Sequence, residues 1–212
     1  MSAPRDTEVE IRLATVADAP AIQAIYGPVV ASTHISFELE PPTPDEMAAR
    51  IAGVLPAHPW IVLTEGEELL GYAYAHHYQP RPAYRRSVET SIYVSPDRKG
   101  RGVGGALYRS LLEVLARQGY RQAIAGTALP NPTSMRLHKS LGFQLAGVQR
   151  KLGWKLGAGT TLPGGSASWC RAPTLPRRPS AWTASPPGSS PRPSNPGSPD
   201  TGFAPNSGRN DA

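Results

Sequence analysis

Residues Val88 to Ala106 read Val-Glu-Thr-Ser-Ile-Tyr-Val-Ser-Pro-Asp-Arg-Lys-Gly-Arg-Gly-Val-Gly-Gly-Ala, and no other stretch of the chain restricts the fold as strongly. A strand stops at Ser95-Pro96, and a glycine-rich turn then opens directly into a helix carrying Val103, Ala106, Leu107, Leu111, Val114 and Leu115 on one face. A turn of this kind aims several backbone N–H groups, reinforced by the helix dipole, at one point in space. Proteins bind pyrophosphate in this way without committing many side chains. The stretch therefore predicts a phosphate-bearing cofactor.

The chain of 212 residues is long enough for one large domain or for a domain and a tail. Residues 158–212 hold eleven of the 24 prolines with nine serines and seven glycines, and they lack apolar periodicity at 2 or 3.6. Such a composition buries too little surface to offset its ordering entropy. The expectation is one domain over residues 1–157 and a disordered tail over 158–212. The net charge of +6 is shared evenly between the two. A domain at +3 without a basic stripe is a poor nucleic-acid binder. The single cysteine, Cys170, falls in the tail, which argues against a disulfide framework, a thiol nucleophile or a cysteine metal site. Neither a signal-peptide core nor a membrane-length apolar run is present, so the expectation is a cytoplasmic protein without membrane partners.

Val9–Leu13 alternates as a half-buried strand, and helices are expected after Thr15-x-x-Asp18 and after Thr43-Pro44. A short strand is expected around Ser36-Phe37-Glu38, then a hairpin of Trp60–Thr64 with Leu69–His76. After the glycine helix come a buried strand Gln122–Leu129, a short helix from Asn131-Pro132 to Gly142, and a strand over about Gln144–Trp154. This order predicts an α/β domain around one mixed, mostly antiparallel sheet flanked by helices. A Rossmann reading fails because the glycines follow meander strands and no acidic residue ends a strand about twenty residues on. A Walker loop fails because Gly-Lys-Ser/Thr is missing.

Lys99-Gly-Arg-Gly102-Val-Gly104-Gly105-Ala106 resembles the Gln/Arg-x-x-Gly-x-Gly/Ala signature of the GNAT acyl-CoA N-acetyltransferases, and Asn131-x-x-Ser134-x-x-x-His138-x-x-x-Gly142-Phe143 resembles their second CoA-side motif. More narrowly, Ser36-Phe37-Glu38, Arg81-Pro-Ala-Tyr84, Glu89-Thr-Ser-Ile-Tyr-Val94 and Ser134-Met-Arg-Leu-His138 are similar to the phosphinothricin N-acetyltransferase branch. The resemblance spans roughly residues 9–157. It implies the GNAT fold, acetyl-CoA as cosubstrate without a metal, and a small amino-acid-like amine such as phosphinothricin or methionine sulfoximine as acceptor. It also implies a homodimer.

Acetyl transfer to an amine needs an acceptor without its proton, stabilisation of the thioester oxyanion, and a proton for the departing thiolate. Glu89 is a carboxylate in an otherwise apolar strand, where partial burial raises its pKa toward that of a useful base. The resemblance makes it the general base and makes His138 the proton donor, although a lone histidine at helical spacing is more often a packed residue. It gives the pyrophosphate to Arg101, Gly102, Val103, Gly104 and Gly105, with Lys99 standing where Gln or Arg is usual and keeping the positive charge of Arg but not the planar hydrogen-bonding geometry. Val94 N–H would polarise the acetyl carbonyl. Asn131 either bonds the pantetheine arm or caps the helix before Pro132, or does both. Phe37, Arg81 and Tyr84 match acceptor-pocket positions, where an arginine suits an anionic acceptor.

The branch ends, after the glycine here numbered Gly157, in a sequence like Trp-His-Asp-Val-Gly-Trp-Trp-Gln, whereas this chain continues Ala-Gly-Thr-Thr-Leu-Pro-Gly-Gly-Ser. Shifted by one reading frame, codons for these residues can spell Trp-His-Asp-Val-Ala-Trp-Trp-Gln, so residues from 158 onward are expected to be out-of-frame sequence. Two other readings stand beside the enzyme: an acyl-CoA-binding protein without turnover, and a transferase acting on protein or peptide amines.

Overall fold

The computed structural model describes residues 8–153, 155–156 and 165–171. Four helices and seven strands follow in the order β1 (Val9–Leu13), α1 (Ala19–Ser32), α2 (Pro44–Val54), β2 (Trp60–Glu65), β3 (Glu68–His77), β4 (Ser87–Val94), α3 (Val103–Arg117), β5 (Gln122–Leu129), α4 (Pro132–Ser140), β6 (Gln144–Gly153) and β7 (Gly165–Arg171). The strands form one sheet in the order β1-β2-β3-β4-β5-β7-β6. Every pairing is antiparallel except that of β4 with β5, as the mixed, mostly antiparallel expectation requires. Among the described residues no helix is long and apolar enough to cross a membrane.

Alternation along β3 and β4 divides the core into two layers. Ala73, Ala75 and Val88 face α3, whose Leu107, Leu111 and Leu115 are fully buried against them. Burial of each leucine contributes about 1.5–3 kcal/mol. On the other face Trp60, Val62 and Tyr72 meet Ile22 and Val30 of α1 and Met47 and Ile51 of α2. The polar face of α3 stays in water because its apolar residues recur at 3.6-residue spacing.

Local signals explain the entries to the helices. Thr43 Oγ1 accepts from Glu46 N–H at 3.2 Å while Thr43 N–H donates to Glu46 Oε2 at 2.7 Å, a reciprocal cap with Pro44 in the first turn. At the entry to α1, Asp18 accepts from Thr15 N–H at 2.7 Å and from both terminal nitrogens of Arg12 at 2.8 and 2.7 Å. That bidentate pair ties the end of β1 to the helix and holds the Asp18 carboxyl below its usual range.

Two expectations are corrected here. Residues 36–38 form no strand, because the Ser36 carbonyl accepts from Lys155 Nζ instead of from a neighbouring strand. Within the tail expected to lack order, Gly165–Arg171 is β7, paired with β5 through Ile124–Leu129 and with β6. The strand fills an edge of β5 that nothing else in the described residues covers. Residues 157–164, on which most of the out-of-frame reading rests, lie outside the described residues.

His58 is 3% exposed, with its ring 4.4 Å from that of His77 and 5.7 Å from that of Tyr120. Burial pushes the pKa of His58, and that of His138 in the α3 layer, from 6.5 down to about 4. Between those values the unfolded chain binds more protons than the folded one, so stability is complete above 6.5 and declines as pH falls toward 4. Urea denaturation at about pH 7.5 and pH 5 is expected to show a lower midpoint at the acid pH. An unchanged midpoint contradicts the neutral buried histidines.

Candidate active site

The site grows from the place where β4 and β5 stop pairing. Ser87, Val88 and Glu89 pair with Gln122, Ala123 and Ile124, and the ladder ends there although both strands run on for five residues more. Beyond this point β4 pairs only with β3, and β5 only with β7. A wedge opens between them, bounded by residues 90–94 on one side and 125–129 on the other. Ser95 N–H turns toward β3 and donates to Leu70 O at 2.9 Å. By strand alternation the N–H of Val94 turns the other way, into the wedge.

The glycine turn closes the wide end of the wedge. Gly102 adopts φ +84° and begins α3 in a left-handed conformation that glycine accepts without strain. No side chain caps this helix start. The N–H groups of Gly102, Val103, Gly104 and Gly105 are the four that an α-helix cannot satisfy from within, and they point out of the turn with the positive end of the dipole. A Cβ on Gly104 would lie 3.4–3.7 Å from Leu137, Val94 and Ile92, so a larger side chain would fill the gap between α3, α4 and the end of β4. Lys99 and Arg101 are exposed beside the turn. Free donors, a narrow glycine approach and two cations fit a pyrophosphate.

Glu89 sits at the apex, on the face shared with Tyr93 and the α1/α2 layer. Its register partner on β3 is His76. Among the described residues its carboxylate has no ion pair and no hydrogen bond. Burial raises its pKa and the charge of His76 lowers it, with burial the larger effect. A carboxylate kept partly from water and left unpaired is a proton acceptor in waiting.

His138, expected as the proton donor, packs inside the α3 layer. It is 3% exposed, enclosed by the rings of Tyr108 and Phe143, and its Nε2 lies 3.3 Å from Tyr108 Oη while Nδ1 lies 3.4 Å from Ser134 Oγ. Tyr108 and Thr90 are 2.7 Å apart, and Thr90 Oγ1 donates to Ile124 O at 3.2 Å. Thr90, Tyr108 and His138 thus form one hydrogen-bonded chain from Ile124 O to the imidazole, with the direction of each hydroxyl set by the imidazole tautomer. Burial lowers its pKa to about 4, so the imidazole is neutral at pH 7. Its observed role is to join α4, α3, β4 and β5 at the base of the wedge. Sequence reasoning missed Thr90 and Tyr108; their one signal was polar groups on apolar faces of strand and helix.

The remaining expected residues are spread round the opening. Asn131 Oδ1 accepts from Ser134 N–H at 3.1 Å and caps α4, which leaves its amide NH2 uncommitted by that bond. Phe37, 38% exposed, lies on the loop between α1 and α2. Arg81 and Tyr84 are exposed on the loop between β3 and β4, where Tyr84 packs edge-on against Tyr78 at 5.7 Å. No group of three metal-ligating side chains occurs among the described residues.

The sheet thus splays at a half-buried carboxylate, with an uncapped glycine helix start at its mouth, an arrangement suited to an acyl group carried on a pyrophosphate-bearing molecule. Residues 11–158 match the family described as acetyltransferase (GNAT) domain, and the chain belongs to that family. It is 44% identical over 149 residues to phosphinothricin N-acetyltransferase of Alcaligenes faecalis, covering 69% of this chain and 76% of that protein. It is 35% identical to an L-methionine sulfoximine/L-methionine sulfone acetyltransferase of Pseudomonas aeruginosa, covering 69% and 87%. The crystal structure of a phosphinothricin acetyltransferase from Sinorhizobium meliloti in complex with AcCoA superposes with a TM-score of 0.72 at 33% identity, over 78% of this chain and 88% of that one.

Removing the Tyr108 hydroxyl leaves Thr90 and His138 each short of a partner inside the core. Tyr108→Phe is expected to cost roughly 1–3 kcal/mol in chemical denaturation. A loss within error of zero contradicts the network.

Proposed function

We propose that this chain moves the acetyl group of acetyl-CoA onto the primary amine of a small amino-acid-like acceptor of the phosphinothricin or methionine sulfoximine class. The observation that carries the proposal is the convergence on one wedge of the unpaired Glu89 carboxylate, the inward Val94 N–H and the four free N–H groups at Gly102–Gly105. The names of the relatives supply the acceptor class.

In this reading Gly102–Gly105, Lys99 and Arg101 hold the pyrophosphate, and the Asn131 amide bonds the pantetheine arm. Val94 N–H donates to the thioester oxygen and stabilises the negative charge that grows there. Glu89 takes the ammonium proton of the acceptor, directly or through one water. The amine nitrogen then bonds to the carbonyl carbon, the carbon–sulfur bond breaks, and the thiolate leaves. Phe37, Arg81 and Tyr84 orient the acceptor, with Arg81 facing an anionic group. The nitrogen of the adduct loses a second proton as the amide forms, and that proton passes through water to the departing thiolate, while Glu89 returns the first to solvent.

Thiol release from acetyl-CoA, followed over a panel of such amines, tests the reading. Binding of CoA with no turnover on any amine sinks it in favour of a non-catalytic acyl-CoA binder. Glu89→Gln is expected to lower kcat by about 10²–10⁴-fold with little change in acetyl-CoA affinity. The rate of the unsubstituted enzyme should climb with pH through the raised Glu89 pKa, because the base form is the deprotonated one. Gly104→Val is expected to weaken acetyl-CoA binding at least about tenfold while the circular dichroism spectrum is kept.

A further inference from the structure

The loop between α1 and α2, which carries Phe37, contains no strand and no helix, yet it is held from four directions. From α1, Tyr26 Oη donates to Glu38 Oε1 at 2.8 Å and lies 2.8 Å from Ser36 Oγ. From α2, Arg50 pairs bidentately with Glu38 at 2.8 and 2.9 Å. The third and fourth holds come from the end of β6 and just beyond it, about 120 residues later in the chain. Lys155 Nζ donates to Val30 O at 2.5 Å and to Ser36 O at 2.8 Å. Val30 O is one of the last carbonyls of α1, which have no partner within the helix, so the ammonium also meets the negative end of the helix dipole. Gly153 presses on Phe37 directly: a Cβ there would lie 2.9 Å from Cδ2 and Cε2 of the ring and 3.1 Å from Cζ. The ring therefore rests on bare backbone.

Building on the proposed acceptor role of Phe37, we propose that Lys155, together with Gly153, is a positioning residue for acceptor recognition. The ammonium fixes the carbonyl immediately before Phe37, and the glycine sets how deep the ring can sit. A short cation chain that spans two carbonyls defines the loop's position better than the exposed Glu38–Arg50 pair, whose worth is limited by solvent. The loop has no ladder to fall back on, so loss of the ammonium leaves the Ser36 carbonyl, and the peptide that leads into Phe37, without its partner, while Tyr26 and Arg50 still hold Ser36 Oγ and Glu38. In the proposed function α3 and α4 hold acetyl-CoA on the other side of the sheet opening, and Lys155 touches neither helix; the loop meets that side only through His34 Nε2, 3.3 Å from Pro130 O.

The test pairs kinetics with amide hydrogen exchange on the full chain. Lys155→Met keeps the stem and removes the charge; it is expected to raise the acceptor KM about tenfold, with kcat and the acetyl-CoA KM within about twofold. Lys155→Arg, which still donates to both carbonyls, should restore most of the loss. Gly153→Ala displaces the ring while leaving the ammonium in place, and it should raise the acceptor KM too. Independently of turnover, amides 33–38 should exchange faster in Lys155→Met. Equal loss of acetyl-CoA and acceptor affinity, or an unchanged acceptor KM, overturns the inference. So does unchanged exchange at 33–38. If the unsubstituted enzyme turns over no amine, the proposed function has failed, and the exchange result still decides whether Lys155 holds the loop.

Discussion

Everything in the site depends on a ladder that is three residues long. Parallel pairing of Ser87–Glu89 with Gln122–Ile124 keeps β4 and β5 together at one end, and nothing holds them together at the other. Each strand can leave because each has another neighbour: β3 accompanies β4 to its end, and β7 accompanies β5. Continued pairing would consume the Val94 N–H and close the wedge. The parting thus supplies both space and unsatisfied donors, which is where a backbone can bind a ligand cheaply.

The two core layers then give the two sides of the wedge different chemistry. The α3 face carries a chain of hydroxyl and imidazole groups, Thr127, Ser134, His138, Tyr108 and Thr90, anchored on Ile124 O at the very residue where the pairing ends. The α1/α2 face carries aromatic rings: Tyr72 with Tyr93 at 5.4 Å, Trp60 with Tyr74 at 4.2 Å, and Tyr26 with Tyr93 at 4.8 Å. Glu89 faces that second layer. Stacked rings exclude water without supplying a counter-charge, and this is why burial outweighs the pull of His76 on its pKa.

The glycine turn and its helix were legible because glycine, proline and a 3.6-residue stripe are local signals. So were the caps at Thr43 and Asn131, whose bonds span three residues. Glu89 could be singled out by its charge in an apolar strand, but its lack of a partner could not. The burial of His138 was hidden for the same reason: the motif around it is local, while its packing depends on Tyr108, 30 positions away. Lys155 is invisible in the sequence, since its carbonyl partners lie 119 and 125 positions earlier. β7 was hidden by averaging. A proline-rich tail masked Gly165–Arg171, seven residues without proline that pair along the free edge of β5.

The central claim is that the backbone at the wedge, chiefly Val94 and Gly102–Gly105, receives the thioester and pyrophosphate. Amide exchange and chemical shifts of these five residues, with and without acetyl-CoA, test it most directly. The account predicts slowed exchange and large shifts at all five on ligand addition, with the amides of β1 and β2 unmoved. Unperturbed amides at Gly102–Gly105 in a protein that binds acetyl-CoA would contradict it.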